Sequence, residues 1–452
     1  MPSSSPPAPA LDLGPVEPTP VEDALARLRT LVSPYTGLVR GTTELVSAPD
    51  EVRLHRVAGL LARSEPVLGI ELSNRPAGSS AEAGRALAAT LGETAERYAA
   101  SFVPESALLA SADELGRRAV PPDDFGLYHP RQYAQADFPF EPFTTGSRVR
   151  WVEGFDLRTR EPRYLPVQLV YLPFGTVEGE QPIGHTTSNG LACGATLEEA
   201  ILAGLLELLE RDAFMNVWYG SLTLPLLDHT VSHELRAFAD RYFDPSGLEF
   251  AAVDLSIFWG VPTVLGVVRS PTGAPLGIGA DSASCVEIAW QSALGEAFAV
   301  RAWSRTKRRD EPRTTFRDDF GDIVEFDDHI LHYSSPEHAV RTSFLDGSSE
   351  RIPVSDVPPL PGRDVLAQID AIVGRLAARG VGAYAVDVTT ADLRHAGLHV
   401  AKLVAPQLVA LDSAYRGRFL GTRRIYHAAH ELGLADRPLS IDTINPLPHP
   451  FP

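Results

Sequence analysis

The stretch that most constrains this chain is Thr196 to Tyr219, TLEEAILAGLLELLERDAFMNVWY. From Ile201 to Leu209 it is apolar on nearly every side, which predicts a long helix buried all round. Yet Glu199, Glu207, Glu210 and Arg211 are set into it. At about 100° per residue the three glutamates fall within an arc of roughly 80°. Carboxylates crowded on one face of a buried helix repel and are driven to protonate unless a cation lies among them. Ligands made of oxygen alone suit a hard cation such as Mg²⁺.

A second stretch, ATLGETAER (Ala89 to Arg97), repeats the spacing. Glu93-x-x-Glu96-Arg97 matches Glu207-x-x-Glu210-Arg211, and each triplet has an alanine four positions before its first glutamate, Ala89 and Ala203. One such triplet is well explained by i,i+3 and i,i+4 ion pairs that solvate a helix face. Two copies, one of them inside an apolar helix, leave solvated pairs and a buried cation site both open.

With 452 residues the chain is long enough for two or three domains or one large fold. The net charge of −18 argues against a nucleic-acid partner held by phosphate contacts, while a nucleotide carried on Mg²⁺ stays compatible because the metal supplies the positive charge. Two cysteines, Cys193 and Cys285, make neither a disulfide framework nor a zinc cluster, which points to a reducing cytoplasm. There is no signal peptide and no apolar run of about 18 residues, so no membrane partner is expected. G-x-x-x-x-G-K-[ST], H-E-x-x-H, C-x-x-C and G-x-S-x-G are absent, and no G-x-G-x-x-G follows a strand. His185 and His399 stand alone and read as ordinary loop or strand histidines.

Residues 1–20 are rich in Pro and Ser and are expected to be disordered. A body from 21 to 440 alternates helical and strand patterns, and a Pro-rich tail occupies 441–452. Helices are expected over 21–32, 196–219, 283–303 and 364–379. A further helix carries Glu93 and Glu96, capped by Ser79 or Ser80 from the loop 73–80. Strands are expected at 52–62, 66–72, 149–155, 163–172, 250–255, 262–268, 382–388 and 398–404. The 283–303 helix holds Glu287, Gln291, Glu296 and Arg301, and 353–362, PVSDVPPLPG, reads as a linker. The chain closes on NPLPHPFP, whose Pro446, Pro448, Pro450 and Pro452 force an extended, polyproline-like rod ending in a free carboxylate. The common fate of such a terminus is to be a solvated tail.

Ser188 to Phe214, SNGLACGATLEEAILAGLLELLERDAF, resembles the signature of the YcaO proteins. ATLGETAERY resembles their first Glu-x-x-Glu-Arg motif, and ALGEAFAVRAW resembles their last helix. WVEGFDLRTREPRYLPVQLVYLPF and GLHVAKLVAPQLVAL share the family's look, so that the resemblance spans residues 22–452. It implies a mixed α/β fold in which Glu-bearing helices line an ATP cleft over β-sheet. It implies that Glu93, Glu96, Glu199, Glu207, Glu210 and Glu296 hold ATP and Mg²⁺, and that Arg211 contacts phosphate. The reaction implied is phosphorylation of a backbone amide oxygen in a ribosomally made precursor peptide. In azoline-forming members a Cys, Ser or Thr side chain first adds to the preceding carbonyl, and loss of phosphate leaves a thiazoline or oxazoline.

A terminal Pro-x-Pro-x-Pro is typical of those cyclodehydratases. By resemblance, Pro446, Pro448, Pro450 and Pro452 order the active site and bring the terminal carboxylate to the reacting peptide. The chain departs from the family in several places. Gly78-Ser79-Ser80 stands where Gly-Lys-Gly is frequent, with Arg85 as a candidate substitute. Ala192, Ala195 and Ala299 replace polar residues, and Ser292 stands where a glutamine is usual, with Gln291 beside it. The resemblance also implies a separate leader-binding or ubiquitin-activating-like partner chain and a homodimer. The rival readings are a thioamide- or amidine-forming member and a non-catalytic scaffold of a peptide-modifying complex.

Overall fold

The computed structural model describes residues 10–68, 76–172, 175–271, 274–310 and 315–451. Fourteen strands among them form three sheets. β1 (Val39–Glu44), β2 (His55–Leu61) and β3 (Ala77–Ser80) make a small antiparallel sheet. β4 (Leu108–Ala110), β5 (Val149–Asp156), β6 (Pro162–Pro166), β7 (Leu191–Gly194), β13 (Tyr384–Asp387) and β14 (His399–Val404) make a second, in the order β4-β5-β13-β14-β7 with β6 paired to β5. β8 (Leu226–Asp228), β9 (Glu249–Asp254), β10 (Thr263–Arg269), β11 (Gly277–Ser282) and β12 (Arg351–Pro353) make the third, in the order β11-β10-β9-β8-β12. The fold is mixed α/β, as the sequence pattern requires.

The longer helices are α1 (Val21–Leu28), α2 (Ala83–Ala99), α3 (Leu197–Gly220), α4 (Val286–Asp310), α5 (Val365–Ala378) and α6 (Arg423–Glu431). α3 is the stretch apolar on all sides. It packs against β7 and β14 of one large sheet, against β10 and β11 of the other, and against α5 and α6. A helix between two sheets has no solvent face, which is why its sequence carries no polar stripe. Its start is fixed by a reciprocal cap: Glu199 N–H donates to Thr196 Oγ1 at 3.2 Å, and Thr196 N–H donates to Glu199 Oε2 at 3.1 Å. α2 lies on β2, β3 and β7, and α4 lies on β10 and β11. No helix among the described residues is long and apolar enough to cross a membrane.

Several expected elements differ. Glu65–Leu68 is a single helical turn rather than the start of a strand over 66–72; residues 69–72 lie outside the described residues. The strand expected over 163–172 ends at Pro166, where the missing N–H stops the ladder, and Val167–Leu169 forms a 3₁₀ turn. Ser79 and Ser80 belong to β3, paired with Arg56 and His55, and cap no helix; the cap residue of α2 is Glu82. The stretch 353–362 is no linker: Val354, Val357 and Leu360 are buried, and Leu360 N–H donates to Ser284 O at 2.9 Å. Expected disorder does not extend over residues 10–20. Leu11, Leu13 and Val16 pack on the central core, and Val365 N–H donates to Val16 O at 2.9 Å. Residues 1–9 lie outside the described residues.

Candidate active site

Three helices bring their carboxylates to one place, in two linked groups. The first joins α2 to α3. Glu96 Oε1 accepts Cys193 N–H at 2.9 Å, Glu93 Oε2 accepts Ala77 N–H at 3.3 Å, and Glu207 Oε2 accepts Gly190 N–H at 2.9 Å. The loop before β7 reaches Glu207 because Gly190 is left-handed (φ 73°) and Gly204 lacks a side chain. A Cβ on Gly204 would lie 2.8 Å from Gly190 O. Burial raises Glu93 above the ordinary carboxylate range, against the pull of Arg97. Burial likewise raises Glu96 to about 8, with Arg97 opposing and Glu207 and Glu93 adding repulsion. Lys402 faces the same group from β14. Its ammonium donates to Thr187 O and Asn189 O at 2.7 Å each, and burial brings it down to about 7 against the pull of Glu207.

The second group joins α3 to α4 and β11. Glu296 Oε2 accepts Ala280 N–H at 2.9 Å. Gly277 and Gly279 lie under α4; a Cβ on Gly279 would meet Ala293 O at 2.6 Å. Asp281 follows on the same face of the strand, and its carboxyl interacts with Glu296 and Arg211. Glu210 is buried, and its Oε1 has no hydrogen-bond partner. Arg211 ties the groups together, with Nη2 3.6 Å from Glu207 and Nε 3.3 Å from Glu210. Its Nε and Nη1 are buried without hydrogen bonds. Burial lifts Glu210 and Asp281 well above their usual range; Arg211 opposes at both, while Asp281, Glu296 and Glu207 add repulsion at Glu210 and Glu296 adds it at Asp281. Burial raises Glu296 too, against Arg211.

This is a concentration of negative charge that the protein alone does not neutralise. Orphaned buried atoms of both signs, Glu210 Oε1 beside Arg211 Nε and Nη1 and Arg97 Nε, suit a ligand that is itself both cation and anion. A divalent metal carried on a polyphosphate has that character.

Glu199 does not join these carboxylates. Its Oε2 caps the helix and its Oε1 accepts Thr19 N–H at 2.6 Å, so both oxygens are held by backbone donors at the α3 N-terminus. Arg85 pairs with Glu82 at 3.1 Å on an exposed surface. Three residues of the site escaped sequence reasoning as ligands: Arg97, Asp281 and Lys402. The signals were present, since Lys402 is a lone charge in the apolar run HVAKLVA and Asp281 follows two alternating glycines.

The C-terminal tail is not solvated. Pro446 is exposed, but Leu447 through Phe451 are buried, and Pro452 lies outside the described residues. Phe451 ends against the Arg211 guanidinium, 4.2 Å from ring centre to Cζ. Beside the tail, His329, Asp412 and His449 bring ligand-type atoms within 4.8 Å of one another. They do not form a metal centre. The two imidazoles stack face to face at 4.1 Å, so their in-plane lone pairs do not converge. His329 Nδ1 and Nε2 face His449 O and Ser413 O, and His449 Nε2 faces Asp412 O.

The sequence profile of a family described as YcaO cyclodehydratase, ATP- and Mg²⁺-binding, matches residues 77–409. The chain belongs to the YcaO family. The matched span contains α2, α3 and α4 and thus every carboxylate of the two groups. ATP and Mg²⁺ are the cofactors by which this family is described, and the mixed charge of the site fits them. A solved heterocyclase in complex with substrate and cofactor shares the fold, with a TM-score of 0.80 and 23% identity over 98% of this chain. This chain spans 59% of that heterocyclase's length. The YcaO of Methanopyrus kandleri, bound with AMPPCP and Mg²⁺, has a TM-score of 0.58 and 21% identity over 86% of this chain and 91% of its own. An uncharacterized protein of Methanothermobacter thermautotrophicus is 28% identical over 288 residues, 61% of this chain and 70% of its own.

Proposed function

We propose that this YcaO chain is an ATP- and Mg²⁺-dependent cyclodehydratase. It would convert Cys, Ser or Thr residues of a ribosomal precursor peptide to thiazolines or oxazolines. The observation that carries the reading is the convergence of Glu93, Glu96, Glu207, Glu210 and Glu296 from three helices, with Arg97 among the first group and Arg211 between Glu207, Glu210 and Glu296. In this reading the five glutamates, with Asp281, hold Mg²⁺, while Arg211 and Arg97 face phosphate. Bound there, MgATP supplies the phosphoryl group that turns an amide oxygen into a leaving group. The chain's own contribution is positional and electrostatic. Backbone N–H groups of Ala77, Cys193, Gly190 and Ala280 fix four of the carboxylates, so little reorganisation is needed when charge develops.

The buried tail supports azoline formation over the thioamide and amidine chemistries, whose enzymes generally lack a terminal Pro-x-Pro-x-Pro. The partners of this reading are the precursor peptide and a separate leader-binding chain. The test is the intact mass of a precursor peptide after incubation with this chain, its partner, ATP and Mg²⁺. Loss of about 18 Da per ring with matching ADP is expected from the phosphorylated amide. A gain of about 16 Da that requires a sulfide donor would replace azoline formation by thioamidation through the same intermediate. Neither mass change nor ADP would leave a scaffold.

A further inference from the structure

The tail is gripped by its backbone. Pro446 O accepts Tyr415 OH at 2.6 Å, Leu447 O accepts Trp218 Nε1–H at 3.1 Å, and Pro448 O accepts Tyr333 OH at 2.6 Å. The next carbonyl, His449 O, meets His329 Nδ1 at 2.8 Å. Four successive carbonyls are thus met by four rings from three segments of the chain, His329 and Tyr333 lying one helical turn apart. A polyproline rod turns about once in three residues, so its carbonyls radiate and need donors on every side. Proline at alternate positions removes half of the N–H groups, so carbonyl acceptors outnumber donors along the rod. The surplus carbonyls are satisfied by donors from the surrounding fold. Leu447 N–H is met locally by Asn445 Oδ1 at 3.1 Å.

This grip delivers one side chain to the site. Phe451 is fully buried, with its ring 4.9 Å from Phe214 and 4.2 Å from the Arg211 guanidinium. Arg211 and Phe214 are one helical turn apart on α3, so Phe451 caps the face that both present. A hydrogen-bonding neighbour would hold Arg211 by consuming its N–H edges. An aromatic ring holds the guanidinium by its face and leaves those edges free. Arg211 Nε and Nη1 are buried and make no hydrogen bond, while Nε and Nη2 keep only the ion pairs to Glu210 and Glu207 at 3.3 and 3.6 Å.

We propose that Phe451 is a positioning residue for Arg211. Through it, seating of the C-terminal tail sets the phosphate-facing guanidinium of the nucleotide site. The inference rests on the reading of that site given above. It assigns the tail a task at the nucleotide site.

The test replaces Phe451 in the full chain with mono-, di- and trifluorinated phenylalanine, which weakens the ring's negative face while nearly keeping its shape. Two quantities are read: the Kd for Mg²⁺–AMPPCP by calorimetry and the apo melting temperature. The expected result is a stepwise rise in Kd, reaching about tenfold for the trifluoro ring and for Phe451→Leu. The apo melting temperature should fall along the same series. Fluorination makes the ring more apolar, so a ring that only fills space would hold or raise that temperature. A flat Kd with an unchanged or rising melting temperature would overturn the proposal. If unmodified protein does not bind Mg²⁺–AMPPCP, the nucleotide reading fails, and the apo series still decides whether Phe451 holds Arg211 by its π face.

Discussion

Glu210 and Asp212 stand two positions apart on α3, and both are buried, yet they face opposite fates. Asp212 is saturated. It accepts Trp259 Nε1–H at 2.8 Å, Val409 N–H at 2.9 Å, and a two-pronged contact from Arg424 at 2.9 and 2.6 Å. Glu210 turns to the other side of the helix, where Glu207, Glu296 and Asp281 crowd it and its Oε1 finds no donor. Removing a carboxylate from water is tolerable only when other groups replace the lost hydration. At Asp212 the protein itself replaces it, so the charge ties α3 to α6 and to the loop at 409. At Glu210 the chain offers the Arg211 charge at 3.3 Å but no hydrogen bond to Oε1, so the replacement is left incomplete and open to a ligand. A buried charge with full partners marks architecture, and a buried charge without them marks a site.

That contrast can be broken by substitution. Asp212→Asn leaves Arg424 buried against a neutral partner and should cost about 3–5 kcal/mol in urea unfolding, while the folded fraction binds Mg²⁺–AMPPCP within about twofold of normal. Glu210→Gln should do the reverse. Peptide-dependent ADP release should fall by about 100-fold, while apo stability should change by no more than about 1 kcal/mol, because the relieved carboxylate crowding offsets the lost ion pair and Arg211 keeps Glu207 as a partner. Equal damage to stability from both substitutions would erase the distinction between the two sides of α3.

Lys402 sharpens the comparison because it shares both characters. Its two carbonyl contacts brace the loop at 187–189, and its ammonium faces Glu207. Lys402→Met should therefore lower stability by about 2 kcal/mol and also weaken Mg²⁺–AMPPCP binding. An effect on stability alone would move it to the side of Asp212.

The smallest effect expected is in the pH dependence. Glu96 is raised from 4.5 to about 8 by burial, so its contribution to apo stability is complete below pH 4.5 and is lost as pH rises toward 8. Lys402 acts in the opposite sense, but only between about 7 and 10.5, which leaves the range from 4.5 to 7 to the carboxylates. In that range melting temperature should fall as pH rises, with a shallower slope in Glu96→Gln. Mg²⁺–AMPPCP binding at pH 7 should release about one proton from Glu96, read by calorimetry in buffers of different ionisation enthalpy. Binding without proton release would place Glu96 outside the ligand set.

Much of the site was legible in advance. The i,i+3 spacing of Glu93 with Glu96 and of Glu207 with Glu210 is a local property of helices, and a charge inside an apolar helix is visible without coordinates. Glu199, expected among the ligands on the same basis, is held in this structure by backbone donors. The arc of roughly 80° on α3 was right, but the first turn of a helix has backbone donors to satisfy, and Glu199 meets them. Arg97 stood inside the repeated triplet, yet its place near Lys402 of β14 depends on how α2 meets the sheet. Asp281 needed knowledge that α4 crosses β11 at its glycines.

The sequence by itself determined the helices, the carboxylate spacing and the rod-like tail, because periodicity and proline act over a few residues. Only the tertiary structure decided which carboxylates share a space, which are satisfied, and that the tail is buried with Phe451 against Arg211. Those outcomes depend on contacts between segments distant in the chain, such as Arg424 with Asp212 and His449 with His329. The physical reason is that burial sets the cost of a charge, and burial is a property of the packed molecule rather than of any one stretch.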